Sequence, residues 1–295
     1  MANLKAIRKR IASVKNTQKI TRAMKLVSAA KLRRAQQAMM ELRPYAAKHR
    51  ELLESLARQL AESGESNAHP LLTPRDEVKT VAVFALSSDR GMCGAFNAGI
   101  VRKLNEVVRE RTAAGQQVVL YTLGRRMGIA GRKLKVLELH DLAEIITAGD
   151  QARVREITAA LVKAFIEGAV DEVVVVSNRF KSALTQLPTV YSLLPVAPPA
   201  STEPAQAASG ADLFYEPGQN DLLGYVVPRF VEVQVRQAIL ESIAGEHAAR
   251  MNAMSSATDN ANGMIQSLTL EMNRARQAAI TKELMEIIGG AEAMK

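Results

Sequence analysis

The chain has 295 residues, 47% of them hydrophobic and 4% aromatic, with no Trp and a formal charge of +9. This length suits one or two domains with an ample core, and the single cysteine, Cys93, excludes an intrachain disulfide and fits a reducing compartment. No apolar stretch approaches the roughly eighteen residues needed to span a bilayer, so the reading is a soluble, cytoplasmic chain.

Residues 1–40 contain eleven Lys or Arg, no Asp or Glu, and neither Gly nor Pro; the first Pro is Pro44. Such a stretch reads as one helix from about Asn3 to about Leu60, roughly 85 Å long at about 1.5 Å per residue. Leu4, Ile7, Ile11 and Val14 keep the three-four alternation of a coiled-coil seam, and Ile20, Met24 and Val27 are expected to resume it after a polar interval. An Arg-rich, acid-free start also resembles a transit peptide, but the helical pattern runs on for about four times the useful part of such a signal. Residues 1–60 hold fifteen basic and three acidic side chains, against seven and eight in residues 222–295, so the excess charge sits on one helix. A charge run is most often a solvated face; its functional readings are nucleic acid, anionic lipid or an acidic protein surface.

After a breaker-rich segment, Ser63–Pro74, the middle of the chain alternates strands and helices. Val78–Ser87 reads as a buried strand, and a Gly-containing loop leads to a helix from about Ala95 to Ala113. Gln117–Leu123 is a second strand. A short Gly-bounded segment then precedes a third at Leu134–Leu139. A helix from after Gly149 to about Glu167, a buried strand Asp171–Asn178 and a short extended segment Thr189–Val196 complete the series. This order predicts an α/β domain with a mostly parallel sheet covered on both faces. Pro195–Gly210 reads as an exposed loop.

From about Leu222 to Ile288 the sequence reads as a second helix, roughly 100 Å long. Ile265, Leu268, Met272, Ala275 and Ala279 form a seam that Leu284 and Ile288 extend. Both helices exceed a domain whose radius of gyration is about 15 Å, and isolated helices are marginal in water. The expectation is therefore a long antiparallel coiled coil of the N- and C-terminal helices attached to the central α/β domain. Its boundaries are 1–62, 75–215 and 216–295. The seam is thin and partly polar (Gln18, Thr21, Ala275, Ala279), which lets the helices approach closely and leaves a slender shaft.

A strand, a Gly-containing loop and a helix start at Ser87–Asn97 have the form of a phosphate cradle. No Lys-Ser/Thr follows, however, and no acidic residue suits a ribose, so a structural turn is the better reading. His49, His69, His140 and His247 are scattered without metal-ligand spacing, and no catalytic constellation emerges. Nucleic-acid binding by the basic helix is the alternative from another class. It lacks the aromatic residues that stack on bases.

Three sets of residues carry a resemblance: Ile7 to Val27 (IRKRIASVKNTQKITRAMKLV), Ser88 to Asn97, and the C-terminal runs Ala249-Arg250-Met251, Ala257 to Ala261 and Ala275 to Leu284. In these the chain resembles the gamma subunit of F-type ATP synthase, over essentially its whole length. The resemblance implies a non-catalytic central-stalk rotor that binds no cofactor, metal or nucleic acid. Its coil would stand in the bore of an alpha/beta hexamer, with its globular part beside the epsilon subunit on a membrane ring of c subunits. It would thereby couple proton flow to ATP synthesis at the cytoplasmic face of the inner membrane, as a peripheral subunit. Rotor–stator contacts that affect coupling are implied at Met24, Lys25, Arg250, Arg276, Gln277, Thr281 and Glu283. An acidic loop of beta would face the basic helix. The cysteine pair of the photosynthetic members' redox switch has no counterpart beside the lone Cys93.

Overall fold

A computed structural model describes residues 2–63, 69–142, 150–196 and 219–292. Two long helices, α1 (Ala2–Ser63) and α5 (Gln219–Glu292), bracket β1 (Thr80–Leu86), α2 (Phe96–Ala113), β2 (Gln117–Leu123), α3 (Arg125–Gly131), β3 (Glu138–Asp141), α4 (Gln151–Ile166), β4 (Glu172–Phe180) and β5 (Gln186–Leu194). The five strands form one sheet in the order β3-β2-β1-β4-β5, parallel except for the antiparallel edge pair β4–β5. The largely parallel sheet and the terminal helices agree with the sequence expectation. The chain divides into two compact units, residues 1–30 with 250–295, and residues 31–249. Each long helix therefore contributes to both.

In the larger unit, β1 is central and buried on both faces. Val81, Val83 and Ala85 share one face with Val118 and Leu120 of β2 and Val174 and Val176 of β4. Ile100 and Leu104 of α2 and Met127 of α3 cover that face. Successive side chains alternate across a strand, which sends Ala82 and Phe84 to the opposite face. There the crossover from β3 back to β4 brings α4, since right-handed connections running in opposite directions along a sheet lie on opposite faces. The Asp150 side chain caps α4 by accepting from the Arg153 N–H.

Between Val226 and Ala249, α5 has no exposed residue. Val233 and Leu240 pack with Leu42, Ala38, Met39 and Ala46 of α1. On another side the Phe180 N–H donates to Glu241 Oε2 at 3.3 Å. A Cβ on Gly245 would come within 3.1 Å of the Phe96 ring. Burial, aided by Glu241, raises the pKa of the Tyr191 phenol well above its ordinary value.

Two elements differ from the expectation. Residues 125–131 form a helix, α3, where a Gly-bounded connection was expected. The third strand covers Glu138–Asp141 and not Leu134–Leu139. Leu134 and Val136 pack against the core beside the sheet edge, and only Glu138–Asp141 registers with Val119–Thr122 of β2. Most of the Pro195–Gly210 loop, with the stretch 64–68 of the expected breaker segment, lies outside the described residues.

Candidate functional site

The smaller unit is an antiparallel pairing of α1 with α5. Its apolar end joins Ile7, Ile11 and Leu268, with Val14, Met272 and Ala275 packed alongside. Beyond Val14 the strict four-three spacing continues through Gln18, Thr21, Lys25 and Ser28, all buried or half-buried. Ile20 and Val27, expected in the seam, are 61% and 57% exposed. The correction has a physical cause. The polar residues occupy the correct helical phase and satisfy one another across the seam, so the apolar pair one position away is turned outward.

Three polar layers make those contacts. Gln18 Nε2 donates to Asn262 Oδ1. The Thr21 and Thr258 hydroxyls lie 2.8 Å apart, each also near a carbonyl of its own helix, Gln18 O at 3.0 Å and Met254 O at 2.7 Å. Two protons thus serve three acceptors: one hydroxyl donates to its own helix and the other donates across. Lys25 Nζ donates to Ser255 Oγ at 2.9 Å. Asn262, Thr258 and Ser255 were missed as contact residues because hydrophobic periodicity does not report polar layers. The unbroken four-three spacing from Ile7 was the signal that could have found them.

At the far end, Leu284 and Ile288 were expected to extend the seam, yet they are 53% and 49% exposed. The reason is register. Lys25 faces Ser255 and Thr21 faces Thr258, so Ala2 falls opposite the neighbourhood of Ala279, and among the described residues none of α1 lies opposite the helix beyond that point.

The seven anticipated contact residues fall into two groups. Met24 and Lys25 are half-buried on α1, one beside and one within the seam. Arg276, Gln277, Thr281 and Glu283 are exposed on α5, and Arg276 lies roughly 30 Å along that helix from Ser255, the partner of Lys25, at about 1.5 Å per residue. At about 100° per residue, Arg276 and Glu283 flank the Ala275–Ala279 seam, whereas Gln277 and Thr281 share a face roughly opposite it. Arg250 differs from the rest: only 7% exposed, it belongs with the interior and not with an open contact face.

The charge on α1 points outward. Lys5, Arg8, Lys9, Arg10, Lys15, Lys19 and Arg22 are all exposed. Among the described residues none of them pairs with a carboxylate; elsewhere in this unit Lys282 pairs with Glu286 at 3.6 Å. A partner face that neutralised these cations would have to be acidic, and at physiological salt it would have to approach within about 8 Å.

Among the described residues no group of three or more His, Cys, Asp or Glu side chains could hold a metal ion. The Ser88–Asn97 loop closes on itself. Asn97 Oδ1 accepts from the Ser88 N–H at 3.2 Å, Asn97 Nδ2 donates to Arg90 O at 3.4 Å, and the Phe96 N–H donates to Cys93 O at 3.2 Å. Cys93 is 1% exposed inside this turn. No described helix is long and apolar enough to cross a membrane.

Comparison with known proteins agrees with this picture. A family model described as ATP synthase matches residues 3–294. The chain is 44% identical over 295 residues to the ATP synthase gamma chain of Trichlorobacter lovleyi, and 46% identical over 295 residues to that of Geobacter sp. (strain M21). Each alignment covers 100% of both chains. Among solved structures it shares its fold with a chain of the Euglena gracilis mitochondrial ATP synthase, solved as OSCP/F1/c-ring in rotational state 3. That match has a TM-score of 0.65 and 19% identity, and covers 99% of this chain and 95% of that one.

Proposed function

The chain belongs to the ATP synthase gamma family, and on that premise we propose that it works as the rotating central stalk of the complex. In this reading the α1/α5 coil turns inside the alpha/beta hexamer, and the larger unit rests with epsilon on the membrane ring of c subunits. The subunit transmits rotation between proton flow and the catalytic sites on beta and makes or breaks no bond itself. It is then a peripheral subunit at the cytoplasmic face of the membrane.

The observation that supports this best is the outward array of unpaired cations on a helix whose inward face is narrow, apolar at one end and polar beyond it. An axle must be held without being trapped. Exposed ion pairs contribute only about 0–1 kcal/mol each and lose little when one replaces another. A basic sleeve passing an acidic loop of beta is therefore attracted at every angle with no single deep well. A long apolar or bidentate contact would deepen one angle and raise the barrier to leaving it.

Coupling contacts then belong where the coil is exposed or half-exposed: Met24 and Lys25 near one end of the paired region, and Arg276, Gln277, Thr281 and Glu283 near the other. Arg250 acts from the interior, by holding the helix. Met24 is flexible and apolar and can slide over changing partners. Met24→Lys adds a charge beside Lys25 that can lock onto beta for part of a turn. Replacing Gln277 and Thr281 together with Leu removes hydrogen bonds worth roughly 1.5–3 kcal/mol when made to a charged group, while keeping a good helix former. In inverted membrane vesicles each variant should assemble normally and pump fewer protons per ATP hydrolysed. Wild-type coupling and turnover in both would reject these contacts.

A further inference from the structure

We propose that the outer face of the larger unit carries a docking groove for an acidic, amphipathic helix of a partner polypeptide, lying between α2 and the segment 126–135. The groove has a volume of about 1040 Å³. One wall is a single stripe of α2 at helical spacing, from Asn97 through Val101, Asn105 and Val108 to Thr112. It runs nearly the whole helix, roughly 22 Å at about 1.5 Å per residue. Ile129, 47% exposed, and Leu134 supply apolar surface on the other wall.

The charge of the lining selects the occupant. Arg109, Arg126, Lys133 and Lys135 stand around the apolar floor, all exposed, and no Asp or Glu is among the lining residues. Among the described residues none of the four pairs with a carboxylate. A second groove of this unit, about 630 Å³ between α4 and α5, is different: Glu232 accepts from Arg155 at 3.3 Å and pairs with Arg229 at 2.7 Å, and Lys163 pairs with Glu167 at 3.7 Å, so each of these cations has a carboxylate partner. The α2 groove, lined by no carboxylate, presents unanswered positive charge around apolar surface. An amphipathic helix laid in a groove uses both, through anchors one turn apart and carboxylates along its flanks. A small anion would leave most of the floor uncovered. The flat surface of a bilayer would reach the rim cations but not a floor recessed between two helices.

None of the residues assigned to coupling lines the groove, so the proposal stands or falls separately from rotation. The test uses the chain assembled with alpha and beta. The probe is a fluorescein-labelled peptide of about sixteen residues, long enough to fill the groove, with Leu and Glu on opposite helical faces. Fluorescence anisotropy should show saturable binding that weakens with salt. It should weaken at least tenfold in Lys133→Glu/Lys135→Glu and, separately, in Ile129→Asp, with ATP hydrolysis unchanged in both. A peptide of the same composition in scrambled order should bind at least tenfold more weakly than the patterned one. Binding unaffected by either variant, or equal binding of the scrambled peptide, would overturn the proposal. So would flotation with phosphatidylglycerol vesicles that is lost in the charge-reversed variant while the peptide fails to bind, since that outcome assigns the cations to a membrane.

Discussion

Between Val226 and Ala249, α5 shows solvent no fully exposed side chain, whereas between Met254 and Ala279 the same helix buries one narrow stripe and leaves the rest open. The first stretch is enclosed by α1 on one side and by the β5 end of the sheet on another, and polar side chains it carries are paired there, Arg229 with Glu232 and Gln237 with Glu241. The second contacts a single partner helix, through Leu268, Met272 and Ala275 at one end and through polar layers at the other. One helix thus has two occupations. Its first half is packed into the larger unit, and its second half leaves most of its surface open.

The largest expected effect breaks the contrast at the level of packing. Leu240 is 1% exposed and Leu270, thirty residues further along the same helix, is 61% exposed. Leu240→Ala should cost about 2–5 kcal/mol, as core truncations do. Leu270→Ala should stay within about 0.5 kcal/mol of wild type. Urea unfolding followed by circular dichroism reads both, and equal losses would mean that the second stretch is as structural as the first.

Two glycines sharpen it. A Cβ on Gly245 meets the Phe96 ring at 3.1 Å and Gln186 Cγ at 3.3 Å, whereas one on Gly263 meets nothing within 4 Å. Gly245→Val should therefore overpack the larger unit and destabilise by about 1–3 kcal/mol. Gly263→Ala should stabilise by about 0.4–1 kcal/mol, since alanine restricts the unfolded chain and favours the helix. The same unfolding experiment should give shifts of opposite sign.

A smaller effect comes from His49 of α1, half-buried and touching the Tyr45 ring, with ring centroids 4.3 Å apart. Burial first, and Arg229 of α5 second, hold its imidazole below the ordinary value. The unfolded chain therefore binds this proton more readily than the folded one. Stability should fall as the pH drops through about 6.5, levelling off once the folded imidazole also takes up its proton. His49→Gln should flatten that slope, measured as urea midpoints between pH 7.5 and 5, while changing little at the upper end.

The same contrast explains what could be read from the sequence. The long helices were legible because nothing between Ala2 and Arg43 breaks a helix, and the buried strands because β-branched residues cluster at β1, β2 and β4. Helix α3 was not, since Gly128 and Gly131 read as breakers. Gly128 is there because a Cβ would come within 2.5 Å of the Asp141 carboxylate, a contact across β3 that local sequence does not announce. The seam was misplaced at Ile20 and Val27 because hydrophobicity outweighed phase, and the polar layers depend on partners some 230–244 residues away. Of the contact residues, Arg276, Gln277, Thr281 and Glu283 are exposed on α5. Arg250 lies inside because residues 242–250 sit in the most enclosed part of the helix, a fact that belongs to tertiary structure.

Rotation of the coil against the hexamer is tested most directly by locking it. Ala23 is exposed beside Met24, and Cys93, the natural cysteine, is 1% exposed and closed within its turn, so a cysteine introduced as Ala23→Cys is the reactive one. Paired with a cysteine on the acidic loop proposed for beta and oxidised, it should stop ATP hydrolysis in proportion to the cross-linked fraction, and a reductant should restore it. Full hydrolysis and proton pumping with the cross-link complete would contradict a rotor.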